Sequence, residues 1–119
     1  MSKYSEYKVI LVGLGPHAKR IYINLFKKYK INLELLVDLK SQKEKIKEFL
    51  NKNNFTKTEL FLIDDSYKDL TSLPDSVSTN LKKAIKSKNI KYAIISTEPK
   101  AHFMYAKFFL ENDINILKK

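Results

Sequence analysis

Short apolar runs alternate with amphipathic stretches along this chain, the pattern of a parallel sheet covered by helices. Lys8 to Val12 (KVILV) reads as a buried strand ended by a glycine turn. Ala18, Ile21, Tyr22, Leu25, Phe26 and Tyr29 then recur at helical spacing and predict one helix from about Pro16 to Tyr29. A second strand, Asn32 to Val37 (NLELLV), ends at Asp38. A lysine-rich helix follows from about Gln42 to Asn51, with a thin stripe of Ile46, Phe49 and Leu50.

Leu60 to Ile63 (LFLI) is the third strand, and Asp64 to Asp75, rich in turn formers, reads as a loop. Val77, Leu81, Ala84 and Ile85 mark another helix, entered through Asp75 or Ser76 as its cap. Lys91 to Ser96 (KYAIIS) is the fourth strand, and a helix runs from about Lys100 to Asn112. That helix is apolar on two faces: Ala101, Met104, Tyr105, Phe108 and Phe109 form one stripe, Phe103, Ala106 and Leu110 a second. Such a helix is expected to be buried on more than one side, its second stripe against a missing domain or another copy. Ile114 to Leu117 closes the chain as a short fifth strand.

The order β-α-β-α-β-loop-α-β-α-β, joined by right-handed crossovers, predicts a single α/β domain of Rossmann type. It is an open parallel sheet in the order 3-2-1-4-5, with helices on both faces and a ligand crevice between strands 1 and 4. The length of 119 residues suits one domain. No apolar run approaches a membrane span, Met1 to Lys8 is too polar for a secretory signal, and there is no cysteine, so a soluble, cytoplasmic protein without disulfides or thiolate metal sites is expected.

The net charge of +10 invites a nucleic-acid reading. Every basic residue except Arg20 is a lysine, however, and lysine, asparagine and isoleucine are all encoded by AT-rich codons. Genome composition is the simpler cause of the charge than a binding face, since phosphate and base recognition favours the planar guanidinium.

Composition is unusual in one respect that bears on function: the chain has two glycines, Gly13 and Gly15, both in one turn. Gly13-Leu14-Gly15-Pro16-His17-Ala18 is G-x-G-x-x-A, set after a strand and opening a helix, the context in which the motif binds a dinucleotide. Gly13 permits the tight turn, Gly15 leaves room for a pyrophosphate, and Ala18 lets the helix pack close to the sheet. Pro16 suits the first helical position, and His17 can contact the cofactor through its backbone. The helix start offers free N–H groups and the positive end of its dipole.

Asp38, twenty residues after Ala18, stands where a carboxylate accepts hydrogen bonds from adenosine ribose hydroxyls and repels a 2′-phosphate. That favours NAD over NADP, while Lys40, two residues on, offers a charge that would neutralise the extra phosphate and keeps NADP open.

After the fourth strand comes Ser96-Thr97-Glu98-Pro99-Lys100-Ala101-His102. This strand-then-S-T-x-P-x-x-H pattern, with the glycine motif and Asp38, resembles the amino-terminal half of the Gfo/Idh/MocA oxidoreductases, the glucose-fructose oxidoreductase and inositol dehydrogenase family, over nearly the whole chain. The resemblance implies that Ser96, Thr97 and Pro99 line the cofactor near its nicotinamide ribose, with His102 close by or simply solvated. In that family the closing strand leads into Glu-Lys-Pro, whose lysine acts near the transferred hydride, and a second domain supplies the substrate pocket. Here the last residues are Leu117-Lys118-Lys119, with neither glutamate nor proline.

The expectation is therefore an NAD(P)-binding domain without catalytic residues of its own. Within a full enzyme it would serve hydride transfer to or from a small sugar-like or polyol substrate. The alternatives are a non-enzymatic nucleotide-sensing module of the same fold and a basic nucleic-acid-binding protein.

Overall fold

The computed structural model describes residues 7–67, 70–97 and 99–116, for 99 and 100 the backbone alone. The strands are β1 (Lys8–Val12), β2 (Asn32–Leu39), β3 (Glu59–Ile63), β4 (Tyr92–Ile95) and β5 (Asn115–Ile116). The helices are α1 (Pro16–Arg20), α2 (Tyr22–Tyr29), α3 (Lys43–Lys52), α4 (Asp75–Ser87) and α5 (Pro99–Glu111). The strands pair in parallel in the order β3-β2-β1-β4-β5, as the alternation of patterns predicts. β4 stops at Ile95, one residue before the expected end at Ser96, and the expected end of the fifth strand, Leu117, lies with Lys118 and Lys119 outside the described residues.

Two apolar layers sandwich the sheet. Ile10, Val12, Leu35 and Val37 face α4 and α5 through Leu81, Ile85, Met104, Tyr105 and Phe109. Val9, Leu11, Leu33 and Leu36 face α1, α2 and α3 through Ala18, Ile23, Phe26, Ile46 and Leu50. Strict alternation along β2 would put Leu33 and Leu35 on one face. The β1–β2 register slips between Val9 and Ile10, so Val9 pairs with Leu33 and Ile10 with Leu35. The bulge around Glu34 lets both leucines be buried, on opposite sides of the sheet.

Two local expectations are corrected. The helix expected over 16–29 is jointed at Ile21, whose φ of −101° and ψ of −61° separate α1 from α2, although Ile21 still donates to the His17 carbonyl and Leu25 to that of Ile21. Neither Asp75 nor Ser76 caps α4: Pro74 holds the cap position and Asp75 is the first helical residue, its carboxylate at the positive end of the helix. The second stripe of α5 is bare at Phe103 (62%) and Leu110 (69%), while Ala106 is partly buried, as expected of a face left for a further domain or another copy.

Helix ends show how the chain manages with so little glycine. Lys30, Asn54, Asn89 and Asp113, following α2, α3, α4 and α5, all take the left-handed backbone conformation (φ 54–64°) that glycine adopts most readily.

Candidate functional site

Parallel strand order brings three chain segments together at the carboxyl edge of the sheet, where β1 lies between β2 and β4. Gly13 N–H donates to the Val37 carbonyl and Ser96 N–H to the Val12 carbonyl, each at 2.8 Å, so both neighbouring strands fix the turn. Gly13 has φ +90°, and a Cβ there would lie 2.5 Å from the Ser96 carbonyl oxygen and 2.9 Å from Thr97 Cγ2. Only glycine fits.

Gly15 is a different case. Its φ of −88° and ψ of −175° are open to any residue, and a Cβ there would meet nothing within 4 Å. The fold itself has no need of a glycine at 15.

Asp38 is the second-to-last residue of β2, which runs two residues further than expected. Its Oδ2 accepts the Leu14 N–H at 2.9 Å and its Oδ1 the Leu39 N–H at 2.7 Å. A carboxylate has about four acceptor sites, so two remain to receive vicinal hydroxyls. Leu14 itself is a core residue, its side chain buried with α1. Ala18, on α1, is fully buried against the sheet, in the close-packing role its size suggests. Pro16 opens the helix, and the N–H groups of His17 and Ala18 stand too early in α1 to find acceptors within it.

The remaining sequence candidates divide. Ser96 and Thr97 sit against Gly13, and the buried Thr97 Oγ1 has no hydrogen-bond partner among the described residues, a cost that sites for ligands often carry. His17 is exposed, its ring edge-on to Tyr22 at 5.9 Å. His102 and Lys40 are exposed as well, and among the described residues no hydrogen bond or ion pair joins either to the turn. Pro99 begins α5, while its side chain and Glu98 lie outside the described residues.

Three features escaped the sequence reading. Tyr105, 5% exposed on α5, has its hydroxyl pushed up to about 12, first by burial and then by the negative charge of Asp38. Asp64 accepts both the N–H (2.9 Å) and the hydroxyl (2.7 Å) of Ser66, which hold its carboxyl below the ordinary value, with a smaller contribution from Lys40. Asp65 accepts the N–H of Ser41 at 3.0 Å and its hydroxyl at 2.5 Å. These contacts join residues 24 apart in sequence, and the only advance sign of them was the run of turn-forming residues after β3.

A recess of about 340 Å³ among Ile85, Ile90, Phe108 and Ile114 lies at the opposite, amino edge and includes none of these residues. Among the described residues no group of histidines and carboxylates could hold a metal ion, and no helix is long and apolar enough to cross a membrane. What the carboxyl edge offers is a turn open at Gly15, first-turn backbone donors, a carboxylate with acceptor sites to spare and a hydroxyl without a partner among the described residues. These suit a ligand with a diphosphate and a ribose.

No protein-family model matches the chain, and no match was found among the curated proteins or the solved structures.

Proposed function

We propose that this chain binds a dinucleotide, NAD in preference to NADP, at the carboxyl edge of its sheet. The observation that carries the reading is Gly15. A chain that tolerates lysine, asparagine and aspartate at four left-handed positions keeps one of its two glycines where the backbone is ordinary and a side chain would meet no protein atom. Close approach of a ligand explains that choice, and the fold does not.

In this reading the backbone at Gly15, His17 and Ala18 receives the pyrophosphate. Asp38 holds the adenosine ribose hydroxyls, and Ser96 and Thr97 face the second ribose, where the unpartnered Thr97 hydroxyl finds an acceptor or donor. The resemblance to the Gfo/Idh/MocA oxidoreductases extends the proposal to the cofactor half of an enzyme acting on a small sugar-like or polyol substrate. The bound nicotinamide supplies hydride chemistry there, and this chain's part is to hold and orient it.

A thermal-shift titration with NAD, NADH, NADP and NADPH tests the proposal, because a ligand of the native state must raise its stability. NAD or NADH is expected to raise the melting temperature by several degrees at saturation. If none of the four moves it, the reading fails.

A further inference from the structure

The carboxylates of Asp64 and Asp65, we infer, form a second barrier to a 2′-phosphate by occupying the groups behind Asp38 that would otherwise receive one. This rests on the dinucleotide reading and deepens it.

A 2′-phosphate at the end of β2 needs donors, and the residues just after Asp38 supply three: the Lys40 ammonium, the Ser41 hydroxyl and the Ser41 N–H. The two Ser41 donors lie against a carboxylate, and the Lys40 ammonium, which makes no ion pair among the described residues, stands near a second. Ser41 donates both its N–H and its hydroxyl to Asp65, one to each oxygen, in a two-point clasp between the turn after β2 and the turn after β3. Lys40 lies close enough to Asp64 for its charge to favour the ionised carboxyl.

The sheet register makes the arrangement. Asp38 pairs with Leu62 and Leu39 with Ile63, so the two strands end level and their following residues emerge side by side. Three carboxylates, Asp38, Asp64 and Asp65, therefore gather at two adjacent strand ends. Asp38 discriminates by direct contact with the ribose. Asp64 and Asp65 act on Lys40 and Ser41 and by repulsion of a dianion, without touching the ligand.

The test compares NAD and NADP affinity by calorimetry in the wild type, in Asp65→Asn, in Asp64→Asn/Asp65→Ala, and in Asp113→Asn, which removes one charge at the far edge of the sheet. Asp65→Asn keeps an acceptor for the Ser41 N–H, so it preserves the turn if the alanine variant does not fold.

In the double variant the affinity for NADP relative to NAD should rise about tenfold, the weight of a charge-assisted hydrogen bond made available. A smaller rise is expected in Asp65→Asn and none in Asp113→Asn. If the wild type binds NAD and the ratio stays within about twofold in both loop variants, or if Asp113→Asn raises it as much, the inference is overturned and the dinucleotide reading stands. If the wild type binds no dinucleotide, both fall.

Discussion

The backbone N–H of Leu14 donates to the Asp38 carboxylate across 2.9 Å, tying the glycine turn after β1 to the end of β2. Asp38 thus has a structural duty in the folded chain, separate from the ligand role proposed for it. Asp38→Ala leaves that half-buried N–H without its acceptor, and a loss of about 1–3 kcal/mol is expected in urea denaturation. Asp38→Asn retains an acceptor and most of the stability while removing the charge. Its discrimination against NADP should weaken in the same calorimetric titration.

The two glycines should respond in opposite directions. Gly13→Ala forces a Cβ against the Ser96 carbonyl at a φ of +90°, and a loss of about 2–4 kcal/mol is expected. Gly15→Ala enters empty space at an ordinary φ, so stability should hold or rise by about 0.4–1 kcal/mol, because the unfolded chain loses freedom. Gly15→Val should fold as well, since a residue before proline prefers the extended backbone already present, yet bind no dinucleotide. Equal destabilisation at both positions would remove the argument for a ligand at Gly15.

Glycine scarcity leaves stability unrealised at helix ends. Lys30 closes α2 at φ 54°, ψ 40°, a conformation that costs a residue with a Cβ about 1 kcal/mol. Lys30→Gly is expected to raise stability by about that amount in thermal or urea denaturation, with no effect on ligand binding.

Alkaline pH should act through Tyr105. Its hydroxyl stays protonated in the folded chain up to about pH 12, whereas in the unfolded chain it ionises near 10. The folded pKa is raised, so its contribution is fully present below pH 10 and is lost as pH rises from 10 through 12. The loss amounts to about 3 kcal/mol across that window. Urea denaturation of wild type and Tyr105→Phe should give a stability difference that is constant below pH 10 and shifts in favour of the variant above it.

Strand order and layering are legible in the sequence because each buried strand is a short apolar run and each helix keeps its stripe. The glycine turn and Asp38 are legible for the same reason: motif spacing and strand ends are local properties. The joint at Ile21 is not, since the apolar stripe from Ala18 to Tyr29 continues across it. The bulge at Glu34 hides behind what reads as an unbroken strand, and the Leu14–Asp38 and Ser41–Asp65 bonds depend on strands being adjacent. The second stripe of α5 was legible as a face apart from the core, and Phe103 and Leu110 do stand exposed. Lys40 suited the site by its place two residues after Asp38 and His102 by the family resemblance, and among the described residues no hydrogen bond or ion pair ties either to the turn.

Amide mapping of the ¹⁵N-labelled chain during titration with NAD or NADH tests the central claim most directly, because it locates the ligand as well as detecting it. The amides of Leu14, Gly15, His17, Ala18, Leu39 and Thr97 should shift together and saturate, and Gly15→Val should abolish the response while the spectrum stays that of a folded protein. No perturbation at saturating dinucleotide, or shifts confined to the lysine-bearing surface of α1 to α3, would contradict a dinucleotide site at the carboxyl edge of this sheet.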